Sequence, residues 1–167
     1  MPTDPFTILY DFLWKVLEAN ETLTSLVRAS NRVKFADVLG FKEAIQHGDL
    51  PEIVIVPDGN SQDTMGTSGT GELQQSYKIF LSTADKRPEQ LNQLKWQLYR
   101  ALETFNANVG RCLFNGRRFV VIGRITSSSE AITDANQNRG INGWCAAWGL
   151  TVTMEFENSE LIYSMEG

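Results

Sequence analysis

The chain has 167 residues, 42% of them hydrophobic and 21% charged, with 20 acidic residues against 15 basic ones for a net charge of −5. That length closes a core without help from a metal or a disulfide, and no run approaches the roughly 20 consecutive apolar residues of a membrane span. The acidic balance argues against sequence-independent duplex binding, which needs a cationic face.

In chain order, Pro5 to Ala19 reads as the first helix, with Asp4 as N-cap and Pro5 in the first turn, where its missing N–H costs nothing. Phe6, Leu9, Leu13, Val16 and Leu17 form its apolar stripe, widened by Ile8 and Phe12. Asn20 and Glu21 interrupt it, and a short helical pattern resumes through Leu23, Leu26 and Val27 to Ser30. The segment 31–50 stays open: Val33, Phe35 and Val38 fit a short edge strand, Phe41 to Gln46 a helical turn. Pro51 to Pro57 contains Ile53, Val54, Ile55 and Val56 in a row, the pattern of a short strand buried on both faces. A Gly/Ser/Thr-rich loop is expected over 58–71. It is not a phosphate-binding loop, which needs Gly-Lys-Ser/Thr entering a helix.

Glu72 to Thr83 is the second strand, with Tyr77, Ile79 and Leu81 on one face and, apart from Phe80, polar residues on the other. The clearest helix runs from Arg87 to Asn106. Its stripe includes Leu91, Leu94, Leu98, Leu102 and Phe105, with Trp96 and Tyr99 beside it. Asn115-Gly116 signals a turn before a third strand, Arg117 to Thr126. A second long polar loop is expected over 127–143. From Trp144 to Phe156 every second residue is large and apolar (Trp144, Ala146, Trp148, Leu150, Val152, Met154, Phe156), the period of a strand with one buried face. Its length predicts a central position. A short tail, 157–167, ends the chain.

The order α-β-β-α-β-β predicts an α+β fold, one domain over residues 1–167. Two main helices cover one face of a mixed four-stranded sheet, five-stranded if the Val33 stretch joins as an edge. Leu94, Leu98, Phe105, Trp144, Trp148, Leu150 and Val152 are the expected core.

Chemistry is scarce. The single histidine, His47, has no nearby partner to make it a general base. Cys112 and Cys145 lack metal-ligand spacing and read as packing thiols in an intracellular chain, with one bridge left open. Asp4 near the N-terminus, with no basic stretch ahead of an apolar run, argues against a secretory leader. Arg111, Arg117 and Arg118 read as solvated charge around a turn. Acids on soft glycine-rich loops hold catalytic geometry badly, and Trp144 and Trp148 alternate with core residues, which favours packing over a stacking platform. No enzyme motif, metal site or cofactor site emerges, so a contact protein is expected. Its candidate contacts are Asp63, Met65 and Glu72 on the first loop and Glu130, Asp134 and Arg139 on the second.

The opening D-P-F-T-I-L-Y-D-F-L helix, the P-E-I-V-I-V-P strand entering a Gly/Ser/Thr loop, Y-K-I-F-L-S-T-A-D-K-R-P before the long helix, and the closing W-G-L-T-V-T-M-E-F strand carry a resemblance. In arrangement and texture they resemble the tail-terminator (tail completion, minor tail protein U-like) proteins of long-tailed bacteriophages. The resemblance implies a virion protein assembled in the host cytoplasm into a ring, usually a homohexamer, at the head-proximal end of the tail tube. Such a ring stops tube polymerisation, contacts the tail tube protein and the head connector or neck proteins, meets a sheath if the tail is contractile, and lets DNA pass without sequence-specific binding. An acidic lumen suits that passage. The other readings are a different neck component and, from another class, a small-molecule-binding regulatory module with a ferredoxin-like sheet.

Overall fold

The computed structural model describes residues 4–34, 50–58, 64–65, 70–83, 88–109, 113–114, 117–118, 121–132, 144–157 and 164–165. Helix α1, Pro5–Glu18, starts where the sequence predicts: Asp4 is extended and its side chain accepts a 2.7 Å hydrogen bond from the Thr7 N–H. Ala19 closes it, and Asn20 then caps the next helix, α2 (Glu21–Leu26), by accepting from the Leu23 N–H at 3.0 Å. The residue expected to interrupt a helix therefore also starts one. A 3-10 turn, Ala29–Asn31, leads into a two-residue strand β1, Arg32–Val33. Glu18 holds this corner by pairing with Arg32 at 2.7 Å and Lys34 at 2.8 Å.

The sheet is built on four long strands, β2 (Glu52–Asp58), β4 (Thr70–Ser82), β7 (Val121–Ile132) and β8 (Trp144–Glu157). Across it the order is β1-β2-β4-β8-β7, and the two-residue β3 (Thr64–Met65) pairs with the start of β4. The long strands are mutually antiparallel and β1 is parallel to β2, which makes the sheet mixed. β8 is central. It pairs with β4 from Thr70↔Glu157 to Ser82↔Cys145, and with β7 on its other side.

Helix α3, Pro88–Asn108, lies antiparallel to α1. Phe12 meets Phe105 at 5.9 Å between ring centroids, and Asn20 Nδ2 donates to Gln97 Oε1 at 3.2 Å. Leu9, Leu13 and Leu17 of α1 and Leu94, Leu98 and Phe105 of α3 share one core cluster with the inner faces of β2, β4 and β8, so both helices cover the same side. Trp148, Leu150 and Val152 are buried in that cluster and Trp144 packs half-buried against it. Tyr10 spans the layers, its hydroxyl donating to the Ile55 carbonyl at 2.7 Å.

Three expectations are corrected. The third strand is not a single run from Arg117 to Thr126. Arg117–Arg118 (β6) pairs with Leu113–Phe114 (β5) in a separate two-stranded ribbon, and the sheet strand begins at Val121. The polar stretch 127–132, expected as loop, continues β7, after an irregularity between Ile125 and Ser127. Its serines carry no apolar alternation, and the ladder with β8 supplies what the pattern lacks. Thr70 and Gly71, expected as the end of a loop, already belong to β4.

Candidate interaction surfaces

Helical geometry sets where α3 presents its side chains. At about 100° per residue, its buried positions converge on one side, and Trp96 falls opposite them. The indole is 61% exposed and Tyr99, three residues on, is 48% exposed. Glu103, one turn beyond Tyr99, is exposed on the same crest. Arg100 is exposed nearby, but its Nη1 donates to Gln97 Oε1 at 3.4 Å, on the flank facing α1. The sequence placed Trp96 beside the buried stripe; the structure puts it on the crest.

The sheet has a second face, away from the helices. Antiparallel partners share a face, so the register sets Val54, Phe80 and Ala147 in one row and Val56, Lys78 and Gly149 in the next. Phe80 is 39% exposed and Lys78 is exposed, whereas Ala147 and Gly149 are half-buried. With small residues on β8 beside them, Phe80 and Lys78 stand above a low floor. Ser76 and Thr151 meet at 3.0 Å between hydroxyls in the row beyond.

At the other end of this face Glu52, Ser82 and Cys145 share a row and all three are buried. The Cys145 thiol donates to Ser82 Oγ at 3.5 Å. A buried thiol packed against a hydroxyl has the setting of a packing group. Among the described residues no three His, Cys, Asp or Glu side chains gather as a metal site would need, and no helix is long and apolar enough to cross a membrane.

The contact residues expected from the sequence are not brought together as two loops. Glu72 lies inside β4, paired with Glu155 of β8 and with Thr64 of β3, and Met65 lies in β3. Glu130 lies inside β7 opposite Ala146. Glu72, expected where the first loop enters the second strand, sits inside that strand, and Glu130, expected on a soft loop, sits on ladder backbone. Asp63, Asp134 and Arg139 fall outside the described residues, as do His47 and Cys112. The exposed aromatics Trp96, Tyr99 and Phe80 were not among the expected contacts. The signal available for them was an aromatic at a position that the periodicity assigns away from the core.

Comparison with solved structures places this architecture. A chain from the virion of a native gene transfer agent particle superposes with a TM-score of 0.57 at 14% sequence identity, over 86% of this chain and 92% of that one. The fold is shared with a virion chain. The bacteriophage SPP1 gp17 protein aligns more loosely, with a TM-score of 0.44 at 20% identity over 90% of this chain and 89% of that one. No protein-family model matches the sequence, and no curated protein does either. At 14% identity the likeness to the gene transfer agent chain speaks for the fold alone, and it covers 86% of this chain and 92% of that one.

Proposed function

We propose that this chain is a structural protein of a phage or phage-like virion, a tail terminator that closes into a ring at the head-proximal end of the tail tube. The observation that carries this reading is the end-to-end match of the fold to a chain of a gene transfer agent virion. The exposed aromatic surfaces on opposite sides of the two layers support it, since a subunit that contacts a neighbour on each side needs two such surfaces. In this role the ring, a homohexamer, stops tube growth and offers its other rim to the head connector. The net charge of −5 lets DNA slide past without adhering. The work is contact, with no catalytic step and no cofactor.

The same fold match suits a neck component other than the terminator, and loss of the protein separates the two roles. Without a terminator, tail tubes overrun their normal length; without a neck protein, tails of normal length accumulate detached from heads. Purified protein supplies the more direct check. Negative-stain electron microscopy over a concentration series, with mass from light scattering, is expected to show closed rings with a central hole. A strict monomer, both alone and in the presence of tail tubes, would remove the terminator reading.

A further inference from the structure

The crest of α3 and the Phe80 and Lys78 rows of the second sheet face form a matched pair. On the crest an indole and a phenol project at 61% and 48% exposure, and Trp and Tyr are among the residues most enriched where interfaces concentrate their binding energy. On the sheet Phe80 stands beside the low floor of Ala147 and Gly149, a step against which a protruding ring can lie. The charges match as well. Glu103 follows Tyr99 by one turn and Lys78 precedes Phe80 by two residues on the same face; both are exposed. Four helical residues rise about 6 Å and two strand residues about 7 Å, so the aromatic-to-charge spacing agrees on the two surfaces. Arg100, the competing charge near the crest, is directed to Gln97.

We infer that α3 of one subunit docks on the exposed Phe80 and Lys78 rows of the sheet of a second copy of this chain, with Trp96 and Tyr99 against Phe80, Ala147 and Gly149 and with Glu103 facing Lys78. The two surfaces lie on opposite sides of the helix-on-sheet pair. A two-fold axis would bring crest to crest, or sheet to sheet, and would leave the aromatic crest without its step. Crest to sheet is a heterologous contact, which repeats from subunit to subunit and closes into a ring when its rotation permits. The inference rests on the ring reading above and adds the surfaces that build it.

The test is sedimentation velocity of the full chain over a concentration series, for wild type and for Trp96→Ala, Lys78→Glu, Glu103→Lys and the Lys78→Glu/Glu103→Lys pair. The substituted side chains are exposed, so thermal melts followed by circular dichroism are expected to match wild type. Trp96→Ala should raise the concentration needed for assembly by about tenfold or more, as removal of a central aromatic anchor does. Each single charge reversal should weaken assembly, and the double reversal should return it to within about threefold of wild type. A wild type that assembles with all variants unaffected overturns this interface and leaves the ring intact. Weakening by both single reversals without rescue in the pair also overturns it, because the crest then meets a different surface. A wild type that stays monomeric alone but forms rings on tail-tube tips overturns direct docking between free subunits and leaves the terminator reading standing.

Discussion

Tyr77 shows how little the core spares for polarity. Its ring is 1% exposed beside Tyr10, at 5.8 Å between centroids, and its hydroxyl has no hydrogen-bond partner among the described residues. Burial, with Tyr10 adding to it, pushes the phenol above its ordinary pKa of 10.0. An unsatisfied buried hydroxyl costs free energy that its removal returns. Tyr77→Phe is therefore expected to leave stability unchanged or raise it by up to about 1 kcal/mol in urea melts; a loss of that size would show that the hydroxyl is satisfied. Asp4 is the opposite case, a fully exposed group with an assigned task. The Thr7 N–H donating to its carboxylate holds its pKa below the ordinary 3.8. A depressed folded-state pKa contributes stability that is present above the unfolded value and is lost as pH falls through the folded one. The Thr7 amide resonance should accordingly titrate with a midpoint below 3.8, and Asp4→Asn should keep the cap while removing that titration. A midpoint at or above 3.8 would rule out the cap bond.

Among the elements, the long ones were the most legible. The period of two from Trp144 to Phe156 matches a strand observed from Trp144 to Glu157 in the centre of the sheet, and Asp4 and Pro5 marked the start of α1. Period and cap are local properties of the backbone, so they survive in any tertiary context. β7 was half missed for the converse reason. Its second part, Ser127 to Ile132, is held by pairing with β8 from Gly149 back to Trp144, and a strand specified by its partner needs no pattern of its own. Asn20 belongs to this scale too. Its carbonyl oxygen accepts from the Leu23 N–H and its amide donates to Gln97 Oε1, so one side chain both starts α2 and ties that turn to α3. Asn20→Ala is expected to cost about 1 to 2 kcal/mol in a chemical melt, and Asn20→Asp to keep the cap but lose the tie. Equal stability of all three proteins would mean that neither bond persists in solution.

Across the molecule, two helices on one face of the sheet bury Trp14 and Trp148, half-bury Trp144, and leave Trp96 outside. Acrylamide should therefore quench one tryptophan class readily in the dilute protein, and Trp96→Phe should abolish that class. In an assembled ring built by the inferred contact the same class becomes protected; quenching that ignores assembly would place Trp96 on an outer wall. The two surfaces are only partly legible in the sequence. The alternation of β4 marks Phe80 as the exception on a polar face, yet the neighbours that make it a step, Ala147 and Gly149, come from β8, 67 or more residues away in sequence. By itself the sequence determined the α+β class, the central last strand, the core residues on α1, α3 and β8, and the start of the first helix, because hydrophobic period and capping are written in neighbouring residues. Only the tertiary structure decided that Glu130 lies on a strand and that charge and aromatic recur at matching spacing on opposite faces. Those facts depend on which strand lies beside which, and long-range pairing leaves no local trace.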